Sequence, residues 1–153
     1  MNWVKANEKV CKALAKRQRV CGHEWEENYF VVTVDGCYAY IFPKKQIHFN
    51  LSEIKLLDKS LVSEMKDYTQ GYFVKPTRLY LDLDGSFVRK FEGKDYAVWI
   101  KSEFLKQFEG GSYYQSSKSD PTKLSVTAVM VFEERDPVGF ILPVRVMEDI
   151  VYL

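Results

Sequence analysis

The sequence predicts an α+β fold in which antiparallel sheets carry two main helices on one side. Three observations lead there: an amphipathic run over residues 3–19, two Asp-Gly dipeptides each flanked by alternating apolar stretches, and a second helical pattern that leaves a strand near residue 100. With 153 residues, 46% hydrophobic and 15% aromatic, the chain has the size and apolar content of a single domain with a real core. Its order of elements divides it into halves at about 1–66 and 67–153.

The first helix is expected from Trp3 to Arg19, with Asn2 as its N-cap and Gly22 just past its end. Lys5, Lys9, Lys12, Lys16 and Arg19 recur three or four residues apart, so at about 100° per residue they form one cationic seam. Trp3, Ala6, Val10, Ala13 and Leu14 fall on the other side and can enter a core. Residues 29–34 and 37–42 then read as strands joined by Asp35-Gly36, a pair that selects a tight hairpin, and Pro43 stops the second strand.

Ile54, Leu57, Leu61 and Met65 repeat at helical spacing, which predicts a short helix over 51–66 capped by Ser52. A second hairpin follows, 78–83 against 86–91 across Asp84-Gly85. There Leu79, Leu81 and Leu83 share one face, expected to be covered, and Tyr80, Asp82 and Asp84 share a wet one. Residues 96–100 read as a strand that runs into a helix over 101–108, ended by Gly110-Gly111. The polar stretch from Tyr113 to Thr122 reads as an exposed loop. Strands over 126–132 and 138–142 are expected to pair across a longer turn at 133–137, leaving an apolar tail at 150–153.

Charge is segregated rather than abundant. The totals are 22 basic and 21 acidic residues, yet residues 1–20 hold six cations against Glu8, which leaves 16 basic against 20 acidic in the rest. That pattern favours a local contact with a polyanion over a general nucleic-acid coat. Cys11, Cys21 and Cys37 are odd in number and widely spaced, which suits reduced thiols better than a disulfide framework. Cys21-Gly22-His23 resembles half of a metal site, but no second ligand pair follows at short spacing, so neither metal nor cofactor is expected. The opening residues lack the apolar core of a secretory signal and no stretch has the length of a membrane span, so the expectation is a cytoplasmic protein without membrane contact. Asp82, Asp84 and His48 are the nearest thing to catalytic groups. No orienting neighbour accompanies them in sequence, so no catalytic residue is assigned.

Ile100-Lys101-Ser102-Glu103-Phe104-Leu105-Lys106-Gln107-Phe108 and Phe140-Ile141-Leu142-Pro143-Val144-Arg145-Val146 together resemble the closing half of a domain of the bacterial DNA polymerase sliding clamp. In that family a strand leads into a helix of this type, and the last hairpin ends in a Met-Pro-Val-Arg-like sequence. The resemblance spans residues 96–146, and the first half is similar only in element order and in its basic helix. It implies a clamp-like domain whose helices face duplex DNA and touch phosphates without reading bases. It also implies a groove for partner peptides at Pro143, Val144, Arg145 and Val146.

The chain departs from the family in three respects. It carries one copy of the domain where a protomer normally has two or three, so a ring would need six subunits. The 101–108 helix is nearly neutral, and seven residues follow Val146. The resulting expectation is a non-catalytic module that binds double-stranded DNA weakly and without sequence preference, or replication proteins, and that can form a homo-oligomer. The alternative is a protein-interaction adaptor or decoy of a mobile element with no DNA binding.

Overall fold

Asn2 opens the first helix as expected: its extended backbone turns the chain and its side chain accepts the Lys5 amide at 3.1 Å. In the computed structural model, which describes residues 1–32, 37–57, 71–94, 96–117, 128–144 and 146, this helix α1 covers Trp3–Ala15. It ends four residues earlier than its charge pattern suggests. Arg17 takes a left-handed conformation at φ 57°, its amide donates to the Leu14 carbonyl, and the Gln18 amide donates to the Ala13 carbonyl, both at 3.0 Å. Those two bonds satisfy the last carbonyls and turn the chain away, so Arg19 leaves the helix.

Strands β1 (Cys21–Trp25), β2 (Asn28–Val32) and β3 (Tyr38–Pro43) follow as an antiparallel meander. Gly22 therefore lies within a strand rather than at a helix end. Pro43 does close β3, paired with Asn28, while the Asp35-Gly36 turn lies outside the described residues. The helix predicted over 51–66 differs: Leu51–Glu53 is a single 3-10 turn capped by the Asn50 side chain instead of Ser52, and β4 (Lys55–Leu56) then runs parallel to β1. Residues 58–66 of that expected helix lie outside the described residues.

The second half begins with β5 (Tyr72–Leu83) and β6 (Ser86–Glu92), joined at Asp84 (φ 53°) and Gly85 (φ 87°), the two positive-φ positions that this turn requires. The twelve-residue β5 serves two neighbours, pairing through 72–74 with β8 and from Lys75 onward with β6, with an irregularity between Pro76 and Tyr80. β7 (Ala97–Lys101) leads into α2 (Ser102–Leu105), and a 3-10 turn continues it to Phe108. β8 (Ser112–Gln115) occupies the start of the stretch read as a loop, whose positions 118–122 are not among the described residues. β9 (Val129–Glu133) and β10 (Asp136–Ile141) then pair across Glu134 and Arg135, a tighter turn than expected, with Glu134 at φ 59°. The apolar tail at 150–153 lies outside the described residues.

The strands form one sheet in the order β4-β1-β2-β3-β10-β9-β8-β5-β6-β7, antiparallel except at β1 and β4. Because β10 sits between β3 and β9, the sheet is continuous across both halves of the chain. Beyond it, the Leu142 amide donates to Cys37 and the Val144 amide donates to Trp99 at 2.7 Å, so the chain crosses from β3 to the outer edge of β7.

Alternation along β3 separates two apolar clusters. Tyr38, Tyr40 and Phe42 face the larger one with Ala6, Val10 and Ala13 of α1, Phe104 of α2 and Phe108, so both helices bury side chains in the same core. Ala39 and Ile41 face the other with Phe30 and Met130. One expectation reverses on the β5–β6 hairpin: Leu79 and Leu83 are exposed, as is Tyr80, so the far end of the hairpin stands in solvent on both faces.

Candidate nucleic-acid interface

The orientation of α1 decides which of its residues meet solvent. Asn7, 6% exposed, donates through Nδ2 to the carbonyls of Trp3 and Gln46, both at 2.8 Å, and its Oδ1 accepts the His48 amide at 2.8 Å. The two bonds to Gln46 and His48 fix the roll of the helix against the segment after β3. Ala6, Val10 and Ala13 then point inward, and Lys5, Lys9, Lys12 and Lys16 are all exposed. Arg19 is exposed too, but it sits beyond the helix and extends the seam only as part of the following segment.

Lys9 is held more firmly than its neighbours. Its ammonium bonds the Tyr38 hydroxyl and lies 4.7 Å from the centre of that ring. Tyr38 packs on Phe104 with ring centres 5.1 Å apart, and the Lys101 ammonium stands 5.5 Å from the centre of the Phe104 ring. A chain of contacts thus joins the α1 seam to a cation at the end of β7, which sequence spacing alone did not reveal. Among the described residues the ion pairs are Met1 with Glu133 and Lys44 with Glu24, so the seam lysines are not neutralised by carboxylates there.

Acid gathers elsewhere. A cavity of about 960 Å³ beside Trp3 is lined by Glu26, Glu27, Glu133, Glu134 and Asp136, with Lys44 and Lys45 across it. The charge imbalance of the sequence therefore becomes spatial: cations along α1, anions at the strand turns near its start.

The other sequence candidates are dispersed. Pro143, Val144 and Val146 are half-buried, with Val144 bonded along β7, and Arg145 lies outside the described residues. Asp82 accepts the Gly85 amide at 2.7 Å and Asp84 supplies the turn, so both carboxylates serve hairpin geometry, while His48 sits beside α1 with its amide given to Asn7. His23 contacts the Glu24 carbonyl through Nδ1 at 2.6 Å, while Cys11 lies exposed and Cys21 and Cys37 are half-buried. Among the described residues no three His, Cys, Asp or Glu side chains come together as a metal site, and no helix is long and apolar enough to cross a membrane.

Titration is perturbed at the buried phenols Tyr40 and Tyr113. Burial raises Tyr40 well above the ordinary tyrosine range, and its hydroxyl donates to Gln107 Oε1 at 2.9 Å. Burial also pushes Tyr113 up to about 12, with the Arg89 guanidinium pulling the other way. No family model, curated protein or solved structure matches this chain.

Proposed function

We propose that this protein is a non-catalytic, clamp-like module that associates with duplex DNA through phosphate contacts along α1, or with replication proteins. The observation that carries the reading is the set Lys5, Lys9 and Lys12, exposed on one side of a helix whose roll is locked by Asn7, with exposed Lys16 continuing it at the C-cap. Ammonium groups on flexible stems suit such contacts, because phosphates repeat along a duplex irrespective of sequence and reward charge rather than shape. Lys101, linked to Lys9 through the Tyr38 and Phe104 rings, adds a fifth positive group. Binding of this kind is weak and steeply dependent on salt.

The test is fluorescence anisotropy with a labelled duplex of mixed sequence. Four neutralised phosphates correspond to a slope of log K against log salt of about −3.6, or roughly a hundredfold loss between 50 and 200 mM. The triple change Lys9→Glu, Lys12→Glu and Lys16→Glu is expected to abolish binding in a protein that still melts cooperatively. A salt-independent affinity, or one that survives the reversal, refutes the reading in favour of an adaptor that engages protein partners alone.

A further inference from the structure

A second concavity lies between α2 and the β5–β6 hairpin. It is a groove of about 460 Å³ whose lining includes Arg89, Ser102 and Lys106 together with Tyr80, Phe91 and Leu105. That volume is within the range of small-molecule sites.

Arg89 is anchored in a particular way. Its Nε donates to the Thr77 carbonyl at 2.7 Å, and its guanidinium lies 5.4 Å from the centre of the Tyr80 ring and 5.8 Å from that of Phe91. The side chain is held at its neck while the outer edge of its fork has no protein partner among the described residues. No carboxylate there lies within ion-pair distance of it. Ser102 contributes a hydroxyl whose oxygen is buried and has no hydrogen-bond partner among the described residues. A buried donor left unmade is costly, and Ser102 lines the same groove as the half-used guanidinium, where an incoming acceptor is the partner both lack. Lys106 adds positive charge at the rim, opposed by Glu109.

The geometry points to this groove as a binding site for a small organic carboxylate with an apolar body. The two outer N–H groups of Arg89 match a carboxylate in a forked arrangement, and the Ser102 hydroxyl donates to one of the same oxygens. Leu105 and the rings of Tyr80 and Phe91 supply apolar wall, which a bare inorganic anion leaves unused. The site is separate from the α1 seam and does not depend on DNA binding.

The experiment is a ¹⁵N NMR titration of the full chain with 3-phenylpropionate, its neutral amide 3-phenylpropionamide, and inorganic phosphate. Expected are saturable millimolar shifts at the Ser102 and Lys106 amides and at Arg89 Nε for the carboxylate, with the amide and phosphate each at least tenfold weaker. Arg89→Gln is expected to abolish the shifts and Ser102→Ala to weaken them severalfold, while Lys9→Glu with Lys12→Glu leaves them intact. Should Arg89→Gln fail to fold, the Ser102→Ala variant and the amide comparison decide. The site is overturned by an absence of shifts up to 20 mM carboxylate, by equal binding of the amide or phosphate, or by a Ser102→Ala titration indistinguishable from the parent.

Discussion

The ring of Phe108 lies directly on the backbone of Gly139: a Cβ placed on Gly139 would stand 2.0 Å from Cε1 and 2.3 Å from Cζ of that ring. Phe108 is 1% exposed and packs on Tyr38 and Tyr40, so it has little room to retreat. Gly139→Ala is therefore expected to cost about 3 kcal/mol or more, at the upper end of overpacking effects. Urea denaturation measures it. Adding Phe108→Leu to Gly139→Ala is expected to recover part of that loss, and a Gly139→Ala protein as stable as the parent would show that the ring does not lie there.

Neighbouring residues at the end of β10 are expected to behave oppositely. Ile141 has no exposed surface, whereas Leu142 is 44% exposed. Ile141→Ala is expected to destabilise by about 2–5 kcal/mol and Leu142→Ala by less than about 1. Comparing the two denaturation midpoints checks the register of β10 against β3, since a slip by one residue exchanges the values.

Alkaline pH is expected to weaken the fold. Tyr40 and Tyr113 have folded pKa values raised above the ordinary 10 by burial, so the native state keeps protons that the unfolded chain releases. Their contribution is intact below pH 10 and is lost as the pH climbs from 10 toward 12, by up to about 1.4 kcal/mol per pH unit for each group. Urea midpoints between pH 9.5 and 11.5 should fall, and Tyr40→Phe should make the fall shallower. At neutral pH the same substitution is expected to cost about 1 kcal/mol, through the bond to Gln107.

The end of α1 carries a residue poorly suited to its conformation. Arg17 sits at φ 57°, where a side chain costs about 1 kcal/mol relative to glycine. Arg17→Gly is expected to raise stability by up to that amount in a thermal melt, and to leave duplex binding by the four seam lysines nearly unchanged. A lowered melting temperature would contradict the left-handed cap.

Much of the fold was legible where local chemistry is decisive. Asp84-Gly85 specified its hairpin because few residue pairs accept two positive φ angles, and Asn2 with the spacing of Ala6, Val10 and Ala13 specified α1. What escaped lacked such signals. β1 turns into β2 through Glu26, at φ 53° without being glycine, and β8 has four polar or aromatic residues that become a strand only because β5 and β9 flank them. Leu79, Leu81 and Leu83 alternate properly, yet periodicity gives a face and not what covers it. The lysine seam of the candidate site was readable from spacing, apart from Arg19, which the left-handed residue removes. The nearness of Lys101 and the grouping of Arg89 with Ser102 were not, because those depend on how distant strands meet.

The place of β10 has a bearing on how the molecule is made. Residues 136–141 follow the other described strands in sequence, yet they fill the seat between β3 and β9. Before they dock, β3 and β9 present open edges, so a chain halted at Glu134 lacks the strand that makes the two groups one sheet. Joining of the two strand groups through the sheet therefore waits on the strand that comes last in sequence among those described, and the facing edges of β3 and β9 stay open to other pairing until it docks.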